Sequence, residues 1–87
     1  MSKEAVASAT RADVYSVILG VLPSLTAGQI DERLHLKDLG ADSVDRVEII
    51  MELRQRLGLD EPMGSFSELP SIQALIDLLD QLRARLS

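Results

Sequence analysis

Apolar residues recur at helical spacing along three stretches of the chain. Between about Glu4 and Leu22, positions Val14, Val17, Ile18, Val21 and Leu22 fall at i, i+3, i+4, i+7 and i+8, which predicts a helix with one buried stripe. Pro23 closes it, because the proline ring disfavours the helical region for the residue before it. A second run goes from Ser43 to Leu57 and stops at Gly58, a residue suited to a left-handed C′ position. A third follows Pro70, with Ser71 as N-cap and Ile72, Leu75, Ile76, Leu79, Leu82 and Leu86 along one side. Ser65 to Leu69 reads as one short extra turn of helix. No segment alternates at period two. The predicted fold is all-α: a small four-helix bundle with three main helices, one short helix before the last, and a long first connecting loop.

That loop, Pro23 to Asp42, spans roughly 20 residues, and a connection of this length in a small domain needs a purpose. Ile30, Leu34, Leu36 and Leu39 supply one by pinning it across the helices, with part of it as a helical turn.

The second helix carries more apolar surface than a bundle requires. At 100° per residue, Ile49, Ile50, Leu53 and Leu57 form one strip, and Val44, Val47 and Met51 form another. Asp45, Glu48, Glu52 and Gln55 fill the remaining arc. One stripe per helix suffices for a core. Either the long loop covers the second strip, or it is an exposed docking surface rimmed by carboxylates.

Composition narrows the function classes. The 87 residues make one small domain, 1–87, and 46% hydrophobic with 26% charged residues is a globular balance. Tyr15 and Phe66 are the only aromatics, so the core is aliphatic and platforms for stacking nucleic-acid bases are lacking. A net charge of −5 repels nucleic acid and anionic membranes and favours basic partner surfaces. The start, Met-Ser-Lys-Glu-Ala, leads into no signal-like apolar stretch, and no stretch is long enough to span a membrane. A soluble, cytoplasmic monomer is expected. There is no cysteine, so any thiol chemistry must use an imported sulfur.

The usual catalytic constellations are missing. His35, the single histidine, reads as a solvated loop residue rather than a ligand or base. Asp38, Asp42 and Asp45 lack the alternate spacing of a calcium loop, and no metal site is expected. No nucleophile has an encoded general base, so no catalytic residue is expected and the chain is read as a non-enzyme. A helical adaptor without a prosthetic group is the rival from another class. A DNA-binding helical module is disfavoured by the acidity.

The informative run is Leu36-Lys37-Asp38-Leu39-Gly40-Ala41-Asp42-Ser43-Val44-Asp45-Arg46-Val47-Glu48-Ile49. It resembles the signature of acyl and peptidyl carrier proteins: Leu, then Asp-Leu-Gly, any residue, Asp-Ser-Leu, and after two more residues an aliphatic and Glu. Val44 stands where leucine is usual. The resemblance covers the chain in length and helix order. It implies that Ser43 accepts 4′-phosphopantetheine covalently from coenzyme A, with Asp42 serving the magnesium site of a phosphopantetheinyl transferase. A helix N-terminus suits the resulting phosphodiester, and Asp42 can also cap the helix. Taken alone, Ser43 would be an ordinary N-cap.

Fatty-acid carriers of this family usually continue the second helix with carboxylates, whereas Arg54 and Gln55 stand here and Arg46 follows Asp45. The stretch from Ser43 to Met51 resembles the free-standing donor carriers of polyketide β-branching cassettes, which pass an acetyl group to a hydroxymethylglutaryl-synthase homologue. That resemblance implies this synthase, a ketosynthase or decarboxylase and an acyltransferase as partners. The docking residues would be Val44, Asp45, Arg46, Val47, Glu48, Met51, Arg54 and Gln55. Arg46 also has an ordinary reading, a snorkelling arginine paired with nearby glutamates. A generic type II polyketide, fatty-acid or aminoacyl carrier is the alternative.

Overall fold

The long loop between the first two helices adds Ile30, Leu36 and Ala41 to a core built mostly by the helices. In the computed structural model, which describes residues 3–86, the helices are α1 (Lys3–Val21), α2 (Ser43–Leu57) and α3 (Ile72–Leu86). Single 3-10 turns occupy the connections at Ala27–Gln29, Leu36–Leu39 and Met63–Phe66, and no strand occurs among the described residues. The all-α expectation holds, with the fourth helix reduced to a 3-10 turn.

Each helix buries the face its periodicity marks. Val14, Val17 and Ile18 of α1 are buried, and α1 packs on both α2 and α3. From α2 come Ile49, Ile50 and Leu53; from α3 come Ile72, Leu75, Ile76, Leu79 and Leu82. The side chain of Leu86 lies outside the described residues. Phe66 is the buried aromatic in an otherwise aliphatic core. Burying each large aliphatic side chain contributes about 1.5–3 kcal/mol, which lets so short a chain fold.

Two expectations need correction. The short element before α3 lies at Met63–Phe66, two residues earlier than Ser65 to Leu69. Pro62, at φ −60°, sets the entry to that turn, and Pro70 disfavours helix at Leu69. In the long loop, Ile30 and Leu36 are buried and Leu39 is half-buried, but the Leu34 side chain points out, at 39% exposure. Its backbone does the pinning instead. The Leu34 carbonyl accepts from the Ile72 N–H, and the Glu32 carbonyl accepts from Gln73, both at 2.8 Å. With Ser71 Oγ accepting from the Ala74 N–H at 3.2 Å, the loop and Ser71 together satisfy donors of the first turn of α3.

The Glu32 carboxylate meanwhile grips α1. Arg11 donates to it through Nε at 2.8 Å and Nη2 at 3.0 Å, and the Tyr15 hydroxyl donates at 2.6 Å. Arg11 chiefly, and Tyr15 after it, hold this carboxyl below the usual carboxylate range, while burial opposes them. Between those two residues on α1, Asp13 lies 3.7 Å from both Arg56 and Arg83, joining all three helices.

Candidate functional site

The start of α2 is built by the turn that precedes it. His35 caps the Leu36–Leu39 turn: its Nδ1 accepts from the Lys37 N–H at 3.1 Å, and its own N–H donates to Asp38 at 3.0 Å. Gly40 follows in the left-handed region, at φ 97°, which favours glycine. The chain then buries Ala41 and reaches Asp42. Asp42 is the N-cap: Oδ1 accepts from the Asp45 N–H at 2.8 Å, and Asp45 Oδ2 accepts from the Asp42 N–H at 3.3 Å.

The ordinary role for a helix-start serine is therefore taken by Asp42. Ser43 is the first residue of α2 and is exposed, with its hydroxyl uninvolved in the cap. Among the described residues, the N–H groups of Ser43 and Val44 have no acceptor. An exposed hydroxyl beside open N–H donors at the positive end of a 15-residue helix fits a phosphodiester.

The second apolar strip is exposed. Val44 is 73% exposed, Val47 48% and Met51 55%, because the loop turns Ile30, Leu36 and Leu39 to the core and leaves this strip uncovered. Glu48, Glu52 and Gln55 flank the strip and are exposed, whereas Asp45, Arg46 and Arg54 are half-buried. A groove along this face runs from Val44 past Met51 and Arg54 to Leu59.

The two arginines depart from the ordinary expectation. Among the described residues Arg46 pairs with no glutamate; its Nη1 donates to the Ala41 carbonyl at 2.9 Å. Helical side chains lean toward the N-terminus, which carries Arg46 back over the first turn. Arg54 has a buried Nε without a hydrogen-bond partner among the described residues. Below it, Gly58 at φ 66° ends α2 in a Schellman arrangement, with the Leu59 N–H donating to the Arg54 carbonyl at 2.8 Å.

A cavity of about 330 Å³ opens beside Ser43, between α2, the Met63–Phe66 turn and the start of α3. Leu36, Val47, Ile50, Phe66, Leu69 and Leu75 make it largely apolar, and His35, Arg46, Ser67 and Ser71 add polar groups. Asp42, Ser43 and Val44 lie together at the start of α2, while this cavity and the part His35 plays in it were not read from the sequence. The spacing His35-x-x-Asp38 was the available signal, since it places a capping side chain three residues before a reciprocating carboxylate.

Residues 12–79 match the family model described as "Phosphopantetheine attachment site". The chain is 36% identical to an acyl carrier protein of Campylobacter hominis over 70 residues, 80% of this chain and 85% of the relative. An acyl carrier protein of Campylobacter jejuni is 34% identical over 76 residues, 86% of this chain and 97% of the relative. A non-reducing polyketide synthase of Aspergillus oryzae, aoiG, is 40% identical over 57 residues, 66% of this chain but 2% of that much longer protein. No solved structure matches the chain.

Proposed function

The chain belongs to the phosphopantetheine-attachment family of acyl carrier proteins, and from that premise we propose that Ser43 bears the arm and that the carrier donates acetyl groups for polyketide β-branching. Acyl carrier proteins are carriers, not catalysts, and hold covalent 4′-phosphopantetheine. The arm supplies the thiol that this cysteine-free chain lacks, so that an acyl group is held as a thioester, open to attack at the carbonyl and acidic at the α-carbon.

The observation that carries the attachment reading is the division of labour at the helix start. Asp42 holds the cap, which leaves the Ser43 hydroxyl exposed for transfer. The second oxygen of Asp42 is available to the transferase's magnesium. Residues 1–87 are read as one acyl-carrier domain, and no helix among the described residues is long and apolar enough to cross a membrane. Val44, Val47, Glu48, Met51, Arg54 and Gln55 form the face offered to partners, with Asp45 and Arg46 at its Ser43 end. Its partners are a phosphopantetheinyl transferase, a ketosynthase or decarboxylase and an acyltransferase, and, for the donor role, a hydroxymethylglutaryl-synthase homologue.

Three residues support the donor role. Arg46, Arg54 and Gln55 break the acidic run that a partner shaped for a uniformly acidic helix would require. The stretch shared with a polyketide synthase supports a polyketide setting. A chain-extending carrier is the second reading, favoured by the likeness to the Campylobacter acyl carrier proteins. Acetyl-loaded protein, a hydroxymethylglutaryl-synthase homologue and an acceptor carrier bearing a β-keto chain decide between them. Transfer of the acetyl unit is expected. Efficient chain extension on Ser43 without acetyl transfer would select the second reading.

A further inference from the structure

Arg46 is placed against the electrostatics of its own helix. The N-terminus of a helix carries a partial positive charge, and cations are ordinarily favoured at the other end. Yet Arg46 sits in the first turn of α2, and its guanidinium is drawn further back by the bond from Nη1 to the Ala41 carbonyl. A guanidinium has five N–H donors. Among the described residues this is the single hydrogen bond it makes, and no carboxylate lies within ion-pair distance.

The same corner holds two more unused donors, the N–H groups of Ser43 and Val44. Arg46 follows Ser43 by three residues, a spacing that puts the two side chains side by side on a helix, and both line the same cavity. A half-buried cation and two open N–H groups therefore share the helix start that carries the Ser43 hydroxyl. The Asp42 and Asp45 carboxylates at this helix start are turned to the cap, on the N–H groups of Asp45 and Asp42, so a phosphodiester on Ser43 would supply acceptors that the guanidinium and the two N–H groups lack.

We propose that Arg46 is a positioning residue for the phosphodiester that joins the arm to Ser43, the Ala41 carbonyl holding the guanidinium so that its remaining N–H groups face the phosphate oxygens. The near end of the arm is thereby held along the first turn of α2, on the side of the cavity, and does not swing freely from Ser43. This inference rests on Ser43 being the attachment residue.

The test compares apo and holo forms of the wild type, Arg46→Gln and Arg46→Lys, with conversion to holo verified by mass. Loss of the bond to Ala41 weakens apo and holo protein alike, so the readout is the holo-minus-apo difference in Tm. That difference should drop by roughly 2–4 °C in Arg46→Gln, with Arg46→Lys between the two. The ³¹P resonance of the wild-type phosphodiester should be displaced from that of free phosphopantetheine. It should move back toward the free value in Arg46→Gln, and in wild type as salt screens the contact. A holo-minus-apo difference and a ³¹P resonance that are the same in wild type and Arg46→Gln would overturn the proposal. So would a wild-type resonance indifferent to salt, a measurement that needs no variant to fold. Wild type that takes up no phosphopantetheine at all would instead remove the carrier reading, and this inference with it.

Discussion

The Tyr15 hydroxyl donates to the Glu32 carboxylate at 2.6 Å, and that carboxylate also receives both donors of Arg11. Because the Glu32 carbonyl in turn accepts from Gln73, one loop residue couples α1 to the start of α3. The two side chains shift in opposite senses. Arg11, then Tyr15, lower the Glu32 carboxyl, while the hydrogen bond to Glu32, then burial, raise the Tyr15 phenol above its ordinary value.

The pH dependence follows from those directions. A carboxyl lowered by folding contributes stability above its unfolded value, about 4.3, and loses it as pH falls through the folded value. A phenol raised by folding contributes fully below about pH 10 and loses its share as pH rises through the folded value. Glu32→Gln should cost about 1–3 kcal/mol at neutral pH and flatten the acid limb of stability, measured by urea unfolding across pH. Tyr15→Phe should flatten the alkaline limb. An acid limb unchanged in Glu32→Gln would show that the brace is not a source of stability.

The Asp42 cap separates two roles that one carboxylate can serve. Asparagine caps a helix about as well as aspartate, so Asp42→Asn should keep stability within about 0.5 kcal/mol, and Asp42→Ala should lose about 1 kcal/mol. Both should slow pantetheinylation if the carboxylate meets the transferase's magnesium. Ser43→Ala should gain no phosphopantetheine mass. Asp42→Asn modified at the wild-type rate would leave Asp42 as a cap alone.

Helix positions were readable because each helix carries local punctuation: Pro23 after α1, Gly58 after α2, Ser71 before α3. Long-range contacts leave no such mark. Nothing near Glu32 in the chain points to Arg11 and Tyr15, which lie 21 and 17 residues away. Leu34 looked like a core residue because apolar character alone does not say whether a loop presents its side chain or its backbone inward. Arg46 was read outward for a related reason. Its partner is a backbone carbonyl, and every residue has one. The cavity was invisible because its walls come from α2, α3 and the loops between and before them.

The exposed strip on α2 should be separable from the buried one. Met51, at 55% exposure, should tolerate glutamate with a change of about 0.5 kcal/mol, yet Met51→Glu should slow transfer to partners. Leu53, at 1% exposure, should lose about 2–5 kcal/mol on truncation to alanine. Chemical denaturation beside a transfer assay reads both. Unfolding of Met51→Glu would place that strip in the core.

Arg54 is the residue on which partner choice should turn. Its Nε is buried with no hydrogen-bond partner among the described residues. Arg54 borders the groove that runs beside Met51 and Glu52. A partner carboxylate entering that groove would pair with the Arg54 charge, whereas a basic partner built for an acidic helix would be repelled. Arg54→Gln should therefore raise the KM for acetyl transfer with the hydroxymethylglutaryl-synthase homologue roughly tenfold, about 1.4 kcal/mol, with little change in kcat. Arg54→Glu should raise it further and should improve handling by a ketosynthase that prefers acidic carriers. Steady-state kinetics with both enzymes read the two effects. Equal KM values for wild type and Arg54→Glu toward the synthase would remove Arg54 from the docking face.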